Sequence, residues 1–337
     1  MTKKSSFLLL VLVATAASWS CAAPLSAHKT DQQPRGDASL RAVIWHDPGR
    51  VASLNLLYGA GGKQHAPDAK GTFTFLKEDP LATSPKFDVV DRQGVEWKVK
   101  LGQEPQSETA AARFMWAAGY FVDEDYYLPE LTVTSVPKLH RGEEFISPDG
   151  TVRGARLERK LMNVKKRGEW DWFENPFLNT RELNGLRIMM SLLNNWDLKD
   201  VNNSIYETGG QRRYVVTDLG ASFGNTGNSL TRSKSAPQEY ANSKFVEKTT
   251  SASVDFVLHS RPFFLTAIDV PNYQMRTRIE AVTKGIPRAD AKWLGRRLSL
   301  LSDAQISDGF RAGGYTSDEV AIYTRAVRER IAQLNAL

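Results

Sequence analysis

The chain has 337 residues, 41% of them hydrophobic and 24% charged, a balance that excludes a disordered or collagen-like protein and suffices for two lobes with separate cores. Its formal net charge of +6 suits an anionic substrate, and with no aromatic-interleaved basic strand in the sequence no nucleic-acid partner is expected. A single cysteine, Cys21, and five histidines without ligand spacing exclude a disulfide framework and a thiolate or histidine zinc site.

Residues 1–27 carry the pattern of an export signal: Lys3 and Lys4, the apolar run FLLLVLVATAA, then small residues through SWSCAAPLSA. The run is shorter than the roughly 20 residues a membrane span needs. The mature protein is therefore expected outside the cytoplasm, periplasmic or secreted. Cys21 stands where a lipoprotein signal places its acylated residue, so membrane attachment is expected only through a lipid there. Residues 28–40 read as a polar tether, 41–160 as a small lobe and 161–337 as a larger helical lobe.

In chain order, RAVIWH and VASLNLLYG have the apolar runs of strands, and Gly59, Gly61 and Gly62 sit in a loop without a dinucleotide or Walker spacing. GTFTFLKE, KFDVVDR and VEWKVKL are three further strands. In the last, Val95, Trp97, Val99 and Leu101 share one face, leaving Glu96, Lys98 and Lys100 on the other. SETAAARFMWAAGY predicts a helix capped by Ser107 and stopped by Gly119, with Glu108 in its first turn and Glu104 outside it, ahead of Pro105. EDYYLPELTVTSVPKL is Tyr-rich, ARLERKLMN reads as a strand joining the lobes, and KKRGEWDWFENP as an exposed lid or packing loop. In NTRELNGLRIMMSLLNN, Asn179 and Glu182 have capping-box spacing, and Leu183, Leu186, Met190 and Leu193 form a buried helical face. Residues 225–253 lack periodicity and hold the position of a substrate loop. The remainder reads as helical, from DFVLHSRPFFL to TSDEVAIYTRAVRERIAQL with Ser317 as its cap, and His259 as structural.

The chemistry concentrates between Asn194 and Gly224. Asp197 precedes Asn202 by five residues in DLKDVN, and the apolar run YVVT ends at Asp218 in DLG. Two carboxylates and an amide are hard oxygen ligands of the kind Mg²⁺ takes beside a nucleotide phosphate. DLKDVN resembles the catalytic loop of protein kinases, VVTDLG resembles their metal-binding strand and DFG, and NNSIY is similar to the corresponding ending in HipA-type bacterial kinases. Trp196 stands where protein kinases have the Arg of H-R-D, so control through that Arg and a phosphorylated loop is not implied.

The resemblance implies an α+β, two-lobed kinase-like fold, with a small, mainly antiparallel β lobe bearing one helix and a larger helical lobe. It also implies ATP and Mg²⁺ as cofactors. Lys100, with Lys98 second, is then the nucleotide lysine, and Glu108, ahead of Glu104, its partner. Ser84 and Lys86, with Thr83, fall in TSPK, similar to the phosphate-contacting loop of HipA-type kinases. Asn202 and Asp218 would hold the metal, Asp197 would act on the acceptor, and Lys199 would neutralise charge on the transferred group. The expected function is an atypical phosphotransferase moving the ATP γ-phosphate to an unspecified hydroxyl acceptor. The alternatives are a catalytically inactive kinase-like binding protein of the cell envelope, and a hydrolase or structural envelope protein with chance motifs.

Overall fold

The computed structural model describes residues 40–80, 84–227, 231–258 and 270–337. The export-signal pattern with Cys21, the tether as far as residue 39, Thr83 and His259 lie outside the described residues. The described residues form an α+β, two-lobed fold, a small β lobe with one helix and a larger, mainly helical lobe. Among them no helix is long and apolar enough to cross a membrane.

The described chain begins with β1 (Arg41–Val43), followed by 3₁₀ turns at Val51–Ser53, Gly59–Gly61 and Lys63–His65. VASLNLLYG is therefore not the expected strand. Asn55 Oδ1 accepts from the N–H groups of Leu57 and Tyr58, at 3.1 and 3.3 Å, and so diverts donors that a strand ladder would need. Ile44, Val51 and Leu56 are buried in a core distinct from the barrel's, together with residues 110–118 and residues of the larger lobe.

The small lobe is a closed barrel of β2 (Thr72–Asp79), β3 (Lys86–Val90), β4 (Glu96–Lys100), β5 (Asp125–Thr134) and β6 (Thr151–Arg159). All neighbours are antiparallel except β2 and β5, whose parallel pairing closes the ring. Period-two alternation puts Phe87, Val89, Trp97, Val99, Leu131, Val133, Val152 and Leu157 into its interior. Lys98 and Lys100 fall on the opposite face of β4.

Helix α1 (Pro105–Ala117) packs on β5 and β6. It starts two residues earlier than the sequence suggests, because Pro105 with its fixed φ and missing N–H suits the first helical position. Ser107 is consequently inside the helix and is not its cap. Its Oγ donates to the Gly220 carbonyl at 2.7 Å, a contact that ties α1 to the larger lobe. Gly119, at φ +97°, ends the helix.

The larger lobe follows as β7 (Lys165–Gly168), α2 (Arg181–Leu192), β8 (Asn203–Thr208), β9 (Gln211–Val216), α3 (Pro237–Asn242), β10 (Val246–Thr249), β11 (Ser253–Phe256), α4 (Val270–Ala281), β12 (Ile286–Pro287), α5 (Arg288–Leu298), α6 (Asp303–Ala312) and α7 (Ser317–Ala336). One sheet runs β1-β9-β8-β7, the other β10-β11-β12. The segment read as an exposed lid or packing loop is β7 followed by Trp170 and Trp172, whose burial fits packing rather than a lid. Trp170 Nε1 donates to the Val215 carbonyl at 3.0 Å. Likewise, the helix expected from Asp255 onward begins as a strand. Val254 and Phe256 point into the core while Asp255 Oδ1 accepts from Gly285 N, a period of two rather than 3.6.

Two caps shift by one residue. Thr180, not Asn179, caps α2, accepting from Leu183 N at 3.3 Å, and Asn179 takes φ +63°. Thr316, not Ser317, caps α7 in a capping box with Glu319. The expected buried face of α2 is present: Leu183, Leu186, Met190 and Leu193 share a core with Leu294 and Leu298 of α5 and Tyr323, Val327 and Ile331 of α7. That packing gives the segment leading into Asp197 a rigid base.

Candidate active site

Three pieces of the chain converge on Lys100. It ends β4 at 1% exposure, and its Nζ lies 2.8 Å from Glu108 Oε2 on α1, 2.5 Å from Glu104 Oε2 and 3.4 Å from Asp218 Oδ1. The strand supplies the lysine, the helix the glutamates and the larger lobe the aspartate. Burial alone would drive the ammonium neutral. The charges of Glu108, Asp218 and Glu104 outweigh it, so the Lys100 pKa is raised and the group stays protonated.

Lys98 does not enter this cluster. It pairs at 3.5 Å with Oε1 of Glu158, its direct cross-strand neighbour on β6. Lys86 is half-buried near the site, and burial followed by the Lys100 charge lowers its pKa. Ser84 Oγ donates to Glu104 Oε2 at 3.0 Å. Gly59 and Gly61, by contrast, close on Arg113, Tyr126 and Glu124, so the glycine cluster is packing for the barrel's lower edge rather than a phosphate loop.

Glu108 is fully buried and shared. Arg156 of β6 places Nε 3.5 Å from Glu108 Oε2 and Nη1 2.6 Å from Asp125 Oδ1. Burial raises the Glu108 pKa while Arg156 and Lys100 pull it down. Glu104 behaves differently. Its burial is also unfavourable to charge, but the Lys100 charge and hydrogen bonds from Lys100 and Lys234 hold the carboxyl down at about 2.

That shift predicts a pH dependence of stability. A carboxyl whose folded pKa lies below its ordinary 4.5 contributes stability that is complete above 4.5 and lost as pH falls toward about 2. The urea midpoint of the wild type is expected to drop through this window, and Glu104→Gln to remove part of that drop. Equal slopes for the two proteins would contradict the assignment. Glu108, shifted upward, contributes with the opposite sign in both proteins and so does not mimic the difference.

Asn202 and Asp218 are positioned by the β8–β9 hairpin, whose Gly209-Gly210 turn has positive φ at both residues, +56° and +72°. Register pairs Asn203 with Val216, and Thr217 N donates to the Asn202 carbonyl at 2.9 Å. Asn202 and Asp218 therefore stand at the same end of the hairpin. Asn202 Nδ2 donates to the Asp197 carbonyl at 2.8 Å, which leaves its amide oxygen as the atom suited to a cation. Asp218 Oδ1 accepts from Gly220 N at 3.2 Å, and its side chain is one-third exposed. Asp197 Oδ1 pairs with Lys199 Nζ at 2.8 Å, both groups partly exposed.

Three residues of this arrangement, Asn195, Arg156 and Lys234, escape motif reading. Asn195, wholly buried, donates from Nδ2 to the Asp218 carbonyl at 3.1 Å and accepts from Asp197 N at 3.1 Å, joining the two carboxylate positions through one amide. Arg156 could have been found as a charged residue at an alternate position between Ala155 and Leu157, which fill the barrel. Glu104, the second candidate because it precedes Pro105, touches Lys100 as Glu108 does. Lys234 lies in a segment without periodicity and carries no sequence signal.

A carboxylate trio of Glu104, Glu108 and Asp218 is close enough to surround a cation. Lys100 Nζ already lies between them, so the trio reads as the cage of an ammonium group. The donor set that fits Mg²⁺ is the outward part of Asp218 together with the Asn202 amide oxygen.

No protein-family model matches the chain, and no curated protein sequence does. Among solved structures, the chain is similar to a crystal structure of the Helicobacter pylori proinflammatory kinase CtkA, at 11% identity and a TM-score of 0.43, covering 79% of this chain and 96% of that one. Likeness at that level says nothing by itself about the site.

Proposed function

We propose that the chain is a kinase-like phosphotransferase that moves the γ-phosphoryl group of ATP to a hydroxyl acceptor, outside the cytoplasm as the pattern of residues 1–27 suggests. The observation that carries this reading is the convergence on Lys100. A buried strand lysine is held by a helix glutamate at 2.8 Å and reaches Asp218 from the other lobe at 3.4 Å. Chance loop motifs have no reason to meet a lysine and glutamate more than 100 residues upstream.

In this reading Lys100, oriented by Glu108, binds the α- and β-phosphates. Asp218 and Asn202 would hold Mg²⁺, which when bound neutralises phosphate charge. Asp197 accepts the proton of the attacking hydroxyl, and Lys199, 2.8 Å away, balances the Asp197 charge and can meet the transferred group. As the acceptor oxygen bonds to the γ-phosphorus, the bond to the bridging oxygen breaks and ADP leaves. The test is whether the purified chain binds Mg-ATP and passes its γ-phosphoryl to an added hydroxyl compound or to water. Binding without any transfer or hydrolysis favours the inactive alternative.

A further inference from the structure

Lys234 donates from Nζ to Glu104 Oε1 at 2.6 Å while Lys100 Nζ lies 2.5 Å from the other oxygen of the same carboxylate. Ser84 Oγ adds a third donor to Oε2 at 3.0 Å. One anionic group is thus gripped by two ammonium ions and a hydroxyl, from three separate parts of the chain. This is the donor set a phosphate takes.

The position of Lys234 is built. Ser235 N donates to the Ser222 carbonyl at 3.0 Å, Ala236 N to Phe223 at 2.8 Å, and Ser233 N to Asn225 at 2.9 Å. Trp196 Nε1 donates to the Ser233 carbonyl at 2.9 Å, linking the segment to the residue before Asp197. A Cβ on Gly224 would come within 2.4 Å of that carbonyl and 2.6 Å of Lys234 N, so only glycine lets the return segment lie so close. On the other side Gly220 leaves room for Glu104, whose Cβ and Oε2 would both stand 2.8 Å from a Cβ there.

We propose that Lys234 is a second phosphate-binding residue of the nucleotide site, and that Glu104 competes with nucleotide phosphate for Lys100 and Lys234. This inference rests on the phosphotransferase reading. A polyphosphate offers oxygens to the same two ammonium groups, and the Glu104 carboxylate yields them when it binds. ATP, with more phosphate charge than AMP, gains most from the second cation.

The experiment is calorimetric titration of the wild type, Lys234→Met, Lys234→Arg and Glu104→Gln with Mg-ATP and with AMP. Lys234→Met should weaken Mg-ATP about 10- to 100-fold, the value of a charge-assisted hydrogen bond, and AMP by less than about threefold. Lys234→Arg should recover most of the loss, and Glu104→Gln should bind Mg-ATP more tightly than wild type. If the wild type binds Mg-ATP and Lys234→Met binds it equally well, or loses ATP and AMP affinity alike, Lys234 is only a structural partner of Glu104 and the inference fails while the phosphotransferase reading stands. A wild type that binds neither nucleotide overturns both.

Discussion

Asp218→Ala is expected to abolish phosphoryl transfer and weaken Mg-nucleotide binding together, whereas Asp197→Ala should lower transfer about 10²- to 10⁴-fold with nucleotide affinity nearly unchanged. The difference follows from where each carboxylate sits. Asp218 faces Lys100 at 3.4 Å and accepts from Gly220 N, so its removal takes away one wall of the lysine cage and, on the proposed reading, a charged metal ligand. Among the described residues the Asp197 side chain pairs with Lys199, while its backbone carbonyl holds the Asn202 amide. The alanine variant keeps that backbone contact, so the metal ligands stay in place. Isothermal calorimetry with Mg-ATP and a [γ-³²P] transfer assay on the same preparations separate the two effects. If Asp197→Ala lost binding as fully as Asp218→Ala, the division of labour between base and ligand would be wrong.

The largest expected loss of stability lies away from the chemistry, at Arg330 of α7. Arg330 is 3% exposed, and among the described residues no carboxylate pairs with its guanidinium. Nη1 donates to the Ser191 and Leu192 carbonyls and to Asn194 Oδ1, at 3.0, 2.9 and 2.8 Å, and Nη2 to the Tyr240 carbonyl and Ser243 Oγ, at 3.2 and 2.7 Å. The group lies 4.0 Å over the Tyr240 ring. It thereby adds donors to the carbonyls at the end of α2, where Asn194 N also reaches Ser191 and Tyr240 Oη also reaches Leu192. Arg330→Ala would leave Asn194 Oδ1 without its donor, remove one of the donors to the Ser191, Leu192 and Tyr240 carbonyls, and open a cavity, a loss of about 4 kcal/mol. Arg330→Lys keeps charge but not the planar fork and should lose about half as much. Urea unfolding followed by circular dichroism measures both, and an Arg330→Ala change below about 1 kcal/mol would contradict this role. Because Asn194 precedes Asp197 by three residues and sits at φ +54°, the same variant should also loosen the catalytic loop.

The strands and helices around the site were legible wherever a single periodicity ruled the segment. VEWKVKL alternates cleanly, so its barrel face and its lysine face could be told apart without coordinates. So could the buried face of α2, whose leucines and Met190 recur at helical spacing. What the sequence concealed depends on long-range pairing or on competition by side chains for backbone donors. Asn55 turns an apolar run into 3₁₀ structure, and Trp170 and Trp172 are drawn inward by packing against β9 rather than by any local pattern. At the site, DLKDVN and DLG mark themselves by type and spacing. Lys234, Arg156 and Asn195 do not, since the partners that bring them into the site, Glu104 for Lys234, Glu108 and Asp125 for Arg156 and Asp218 for Asn195, lie 23 to 130 residues away in sequence.

The measurement that bears most directly on the central claim is titration of the wild type and of Lys100→Met with ATP, with and without Mg²⁺. Lys100 is the meeting point of β4, α1 and the segment after β9, so a nucleotide site depends on it. The account predicts saturable, Mg²⁺-dependent ATP binding by the wild type, with transfer or slow hydrolysis of the γ-phosphate in the same sample, and loss of both in Lys100→Met. Wild-type protein that is folded by circular dichroism yet binds no Mg-ATP, or a Lys100→Met variant that binds it as the wild type does, would contradict the account.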